Sequence, residues 1–121
     1  MNLDDLDQEY VFYIMYNGTT RSSIRSEDKD HIQPRSLLMQ QNVKLEKINS
    51  IGNFQLIDSS SNRGLKNDEP LSEWLEKIDN QTAYIERHLI PEEPRLWVIE
   101  NFHEFLRERQ KKIVAKIKAS L

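Results

Sequence analysis

Four prolines, Pro34, Pro70, Pro91 and Pro94, decide where regular structure can run in this chain. A proline has no amide hydrogen and holds φ at about −65°, so it enters a helix only at its first turn and interrupts strand pairing. Pro34 therefore ends any pairing that begins before it. Pro70 suits the first turn of a helix over residues 70–89, whose apolar stripe is Leu71, Trp74, Leu75, Ile78, Ile85 and Leu89. Pro91 and Pro94 stop that helix. Beyond them, Phe102, Leu106, Ile113, Ile117 and Leu121 recur near helical spacing and predict a second long helix over 96–121. Glu108 and Lys112 stand one turn apart on its outer face and can pair.

The N-terminal segment is dense in apolar residues. Leu3, Leu6, Tyr10 and Tyr13 or Ile14 follow helical spacing, while the unbroken apolar run over residues 10–16 equally suits a buried strand. A helix over 3–16 is the expectation, ended by Asn17-Gly18. Residues 17–28 are polar and read as a loop. Residues 28–67 form a unit with little long periodicity. A short stretch ends at Asp30-His31-Ile32, and Ser36 to Met39 allow one helical turn. Gly52-Asn53 marks a turn, and Phe54-Gln55-Leu56-Ile57 alternates as a strand does. Ser59, Ser60 and Ser61 then offer hydroxyl caps for a helix carrying Asn62 and Lys66.

At 121 residues the chain fits one domain, and 37% hydrophobic with 31% charged residues is ordinary for a globular protein. There is no cysteine. That excludes a disulfide framework and a thiolate zinc site, and with three scattered histidines a structural zinc domain is not expected. No apolar run approaches the ~18–20 residues that cross a bilayer. Asp4, Asp5 and Asp7 are acidic where a signal peptide is basic. The expectation is a soluble cytoplasmic protein. A net charge of −3 counts against an affinity for nucleic acid built on a globally basic surface, though not against a local basic patch.

Chemistry points to the 28–67 unit. Adjacent residues on a strand face opposite sides, so Asp30 and His31 can serve one site only where the strand bends or ends. Pro34 supplies that break. Asp30 offers a carboxylate and Asn62 a carboxamide oxygen, the donor type a hard divalent cation takes. A neutral imidazole takes a proton from water near neutral pH. Taken singly, each residue has an ordinary reading: Asp30-His31 a solvated loop, Asn53 a turn residue, Asn62 a helix cap.

Together they carry a resemblance. The string Asp-Lys-Asp-His-Ile-Gln-Pro-Arg-Ser-Leu at 28–37, Ile-Gly-Asn-Phe-Gln-Leu at 51–56, Ser-Asn-Arg-Gly at 61–64 and Lys66 resembles the HNH (ββα-metal) nuclease family. The opening is similar to that of the HNH domain in CRISPR RNA-guided nucleases. The middle segment, with His88-Leu89-Ile90-Pro91, Leu96-Trp97 and the stretch from Phe102 to Arg109, is more similar to the C-terminal HNH module of GmrSD-type restriction endonucleases. The resemblance covers residues 8–121. It implies an α+β fold, mainly helical around a small ββα-metal motif. It implies a DNA endonuclease acting in defence against foreign DNA. Asp30 and Asn62 would hold one Mg²⁺ or Mn²⁺, and His31 would be the general base. Asn53 would hold the loop and orient His31 through the ring nitrogen turned away from the water. Arg63 and Lys66 would contact phosphate. In the GmrSD family the HNH part follows a nucleotide-binding and nuclease-like region that does not precede the motif here. The resemblance thus implies a module of a larger protein that selects its DNA elsewhere.

The competing expectation is a non-catalytic HNH-like module that docks on a partner through its helices. The other conspicuous residues read as structure. His88, at a helix end, is a capping or packing histidine, and His103 a surface or boundary residue. The aromatic cluster at 10–16, Trp74 and Trp97 read as core. Arg107, Arg109, Lys111, Lys112, Lys116 and Lys118, mixed with Glu104 and Glu108, read as a solvated helix face, with a DNA-backbone contact as the alternative.

Overall fold

Two of the prolines stand immediately before helices in the computed structural model of the chain, which describes residues 1–17, 29–57 and 68–121. Pro34 is the extended residue that caps helix α2 (Arg35–Gln40), and Pro70 does the same for α4 (Leu71–Glu76). Helix α1 covers Gln8–Met15, α3 Leu45–Ile48, α5 Gln81–Arg87 and α6 Phe102–Ala119. Strands β1 (Lys29–His31) and β2 (Phe54–Leu56) pair antiparallel in register Lys29–Leu56, Asp30–Gln55 and His31–Phe54. The fold is α+β, with a two-stranded sheet among helices. Asn62, Arg63 and Lys66, with the helix expected to carry Asn62 and Lys66, lie outside the described residues. Most of the loop expected over 17–28 does too.

Three helices are shorter than the apolar spacing predicts, each for a local reason. The N-terminal helix begins at Gln8 rather than Leu3, because the Asp7 side chain accepts from the Glu9 amide and caps there. Leu3–Asp5 is a separate 3₁₀ turn. Facing period then sends Tyr10 and Tyr13 outward, 43% and 48% exposed, while Val11, Phe12 and Met15 are buried. The 70–89 helix is two helices, α4 and α5. Asn80 starts the second by accepting from the Ala83 amide at 3.1 Å, the competition with the backbone that short polar side chains offer. The 96–121 helix starts only at Phe102. Before it run two 3₁₀ turns, Pro94–Trp97 and Ile99–Asn101, joined by an extended Val98. Asn101 Nδ2 donates to the Arg95 carbonyl and Trp97 Nε1 to the Pro91 carbonyl, and so these groups find partners outside any helix. Leu121, expected on the stripe, lies past the helix end and is 87% exposed.

Helix α6 joins two apolar clusters. Phe102, Phe105 and Leu106 belong to one, with Ile32, Leu38, Trp74 and Leu75. Ile113 and Ile117 belong to the other, with Val11, Phe12, Met15 and Ile51. Each fully buried Phe or Ile contributes about 1.5–3 kcal/mol, so this helix holds the two halves of the core together. Glu108 pairs with Lys111 at 3.2 Å, three residues on, rather than with Lys112 as expected.

Between the two clusters the stripe carries Arg109, which is fully buried. It is no part of a solvated face, contrary to the sequence expectation. Its guanidinium donates to the carbonyls of Ile51, Gly52 and Phe54 through Nη1, and to that of His88 through Nε and Nη2. Burial lowers it to about 10, so it remains charged at neutral pH. This one side chain fastens the turn before β2, and the start of β2, to α6 and to the end of α5. The turn lies close against α6: a Cβ on Gly52 would stand 2.7 Å from Leu106 Cδ1 and 3.0 Å from Gln110 Cγ.

Candidate functional site

Strand β1 stops at His31, but only after Asp30 and His31 have both paired with β2, so the break comes too late to turn the two side chains to one face. The register places the two side chains on opposite faces. His31 shares its face with Phe54, the rings 4.7 Å apart and tilted by 34°. Lys29 Nζ lies over the same Phe54 ring at 5.5 Å and donates to Gln8 Oε1. Asp30 faces the other way, toward its cross-strand neighbour Gln55. Gln55 Nε2 donates to Asp30 Oδ2 at 3.0 Å.

Asn53 is fully buried and holds the loop, as expected, but does not meet the His31 ring. Its Oδ1 accepts from the Gln33 amide at 2.9 Å, and its Nδ2 donates to the carbonyls of Gln33 and Ile48. Both amide hydrogens are thus committed to backbone. Its own carbonyl accepts from the Ile32 amide at 2.8 Å. Asn53 therefore locks the chain just past His31 to the end of α3 and the start of β2. The orienting contact expected of it comes from Asn49 instead. Asn49, at the C-cap of α3, accepts from His31 Nε2 through Oδ1 at 2.8 Å. With the proton on Nε2, the basic lone pair lies on Nδ1.

Two further residues make this loop rigid. Gln33 is buried, donates to the Trp97 carbonyl and accepts from the Leu71 amide, tying the end of β1 to α4. Asp4 accepts from the Ser50 hydroxyl with both oxygens and from the Ile51 amide. The first residues of the chain thereby brace the turn that leads to Asn53. Asn49, Gln33 and Asp4 escaped the sequence reading because each acts through a contact far along the chain. Arg109 carried a signal: it stands four residues after Phe105 and four before Ile113, where the stripe calls for an apolar side chain.

His88 packs as expected. Its ring lies between Tyr16 and Tyr84, with centroids 5.4 and 4.3 Å away. Burial, then the Arg109 and Arg87 charges, lowers it from 6.5 to about 3, so it is neutral. The Tyr16 hydroxyl accepts from the Leu56 amide and shares a hydrogen bond with His88 Nδ1 at 2.8 Å.

Among the described residues, no three His, Asp or Glu side chains converge as a metal cage. Asp30 is the expected metal ligand within them. No helix among them is long and apolar enough to cross a membrane. Comparison with known protein families, with curated proteins and with solved structures gives no match for this chain. The likeness to HNH nucleases thus stands on the residues that carry it.

Proposed function

We propose that this chain is a metal-dependent DNA endonuclease domain of the HNH type, acting in defence against foreign DNA, with His31 as its general base. The observation that carries the reading is the His31–Asn49 contact. A histidine at a strand end, its Nε2 held by an acceptor and its loop locked by a buried Asn53, has the tautomer and the rigidity a base needs.

His31 Nδ1 takes the proton from the attacking water, and Asn49 keeps the imidazolium that forms in its orientation. Asp30 and Asn62 are the residues that would hold a divalent cation. Their oxygens suit Mg²⁺ or Mn²⁺, hard ions that prefer carboxylate and carboxamide donors. A divalent ion held there would supply charge stabilisation for phosphodiester hydrolysis. Arg63 and Lys66 would contact the phosphate backbone. The products carry 5′-phosphate and 3′-hydroxyl ends.

Plasmid nicking by the purified chain with Mg²⁺ or Mn²⁺, beside His31→Ala, tests the assignment. Cleavage by the parent and its loss in the variant are expected. Equal rates in the two, or no divalent-ion binding by the parent, would turn the reading toward a non-catalytic module that docks on a partner.

A further inference from the structure

A line of hydrogen bonds runs from the helices into the sheet and ends on Asp30. Trp74 Nε1 donates to the Tyr84 hydroxyl oxygen at 3.2 Å, the Tyr84 hydroxyl donates to Gln55 Oε1 at 2.6 Å, and Gln55 Nε2 donates to Asp30 Oδ2 at 3.0 Å. The direction of this line is fixed at its far end. An indole N–H can only donate, so it occupies an acceptor position on the Tyr84 oxygen and turns the hydroxyl proton toward Gln55. Tyr84 keeps that proton, since burial pushes it up to about 12. The proton in turn decides which end of the Gln55 carboxamide faces Tyr84, and the amide N–H must then face Asp30.

Gln55 has no alternative orientation of comparable energy. It is fully buried, and a flipped amide would set Nε2 against a donor and Oε1 against a carboxylate. It also occupies the one buried position of β2, where an apolar side chain would fill the space as well. A buried carboxamide there is tolerated only because every link of the line is satisfied.

We propose that Tyr84 and Gln55 are positioning residues for Asp30, holding one carboxylate oxygen so that the group is turned in advance toward a divalent cation. The proposal rests on the reading of Asp30 as a metal ligand. Residues that orient a ligand from behind alter metal affinity by about 10–100-fold when removed. Trp74 belongs to the same device as the donor that sets its direction.

Tyr84→Phe deletes one hydroxyl and Gln55→Met one carboxamide at similar volume. Mn²⁺ affinity of the full chain, by calorimetry or by electron paramagnetic resonance, is the readout, with Tyr16→Phe as the control. Tyr16 is another half-buried tyrosine whose hydroxyl bonds Leu56 and His88 and lies outside the line. Both test variants should bind Mn²⁺ about tenfold more weakly or worse. Tyr16→Phe should lose melting temperature without losing affinity, and saturating Mn²⁺ should restore cleavage in Tyr84→Phe. Affinities equal to the parent in both test variants overturn the proposal, and so does an equal loss in Tyr16→Phe. A parent that binds no Mn²⁺ overturns it together with the proposed function. The metal-free parent supplies a check that needs no variant: the Gln55 side-chain amide should exchange slowly with solvent, and exchange as fast as a solvated amide overturns the proposal.

Discussion

Asn49 Oδ1 and His31 Nε2 lie 2.8 Å apart, joined across the gap between the end of α3 and the end of β1. This contact sets the imidazole tautomer while contributing little to folding, because Asn49 is exposed. Asn49→Ala should therefore lower kcat for DNA nicking by about 10–100-fold, the range for residues that orient an active group. KM for DNA and the melting temperature should stay at parent values. Steady-state nicking with a thermal melt reads both. An unchanged kcat would remove Asn49 from the site.

Asn53 behaves oppositely, since its side chain holds backbone rather than the His31 ring. Asn53→Ala leaves the Gln33 amide and the carbonyls of Gln33 and Ile48 without their side-chain partner inside the core. Each buried polar group so abandoned costs about 1–3 kcal/mol, so the loss should amount to several kcal/mol. Asn53→Asp should be no rescue, because it sets a carboxylate oxygen against the two carbonyls. Urea denaturation checks both variants. Loss of nicking without loss of stability would place Asn53 in the chemistry instead.

The same contrast marks what was legible in the sequence. Most of the elements were, because apolar spacing, Pro34 and Pro70, and the Phe54–Leu56 alternation are local signals; the single turn of α3, Leu45–Ile48, was not. Their boundaries were not: Asp7 and Asn80 cap helices inside longer apolar patterns. Asp30 and His31 stand out as a string, and the chain does end its strand there. Their surroundings did not stand out. Asn49 reaches His31 across 18 positions, Gln55 reaches Asp30 across 25, and Arg109 reaches Gly52 across 57. Such partners emerge only once packing brings distant segments together. Asn53 illustrates both sides: its importance was readable from the string, but its partners were not.

Arg109 supplies a prediction about stability that no surface arginine would justify. Arg109→Met keeps the volume and apolar stem but withdraws every donor from the carbonyls of Ile51, Gly52, Phe54 and His88. Those carbonyls lie where water does not replace the guanidinium, and losses of about 3 kcal/mol or more follow. Arg109→Lys should recover only part, because one ammonium cannot span the two sides that the planar fork joins. Denaturation midpoints of the three proteins should rank parent, Lys, Met. A Met variant as stable as the parent would show that the carbonyls find other donors.

His88 gives the fold a dependence on pH. Burial, followed by the Arg109 and Arg87 charges, lowers its imidazole from 6.5 to about 3 in the folded chain. Between those values the unfolded chain binds the proton and the folded chain does not. The sign follows: stability from this group is complete above about pH 6.5 and declines as pH falls toward 3, by up to ~1.4 kcal/mol per pH unit. Chemical denaturation from about pH 7 to about pH 4 should show this decline. His88→Gln should flatten it, whatever that change does to stability at neutral pH. An equally steep decline in His88→Gln would assign the acid sensitivity to the carboxylates instead.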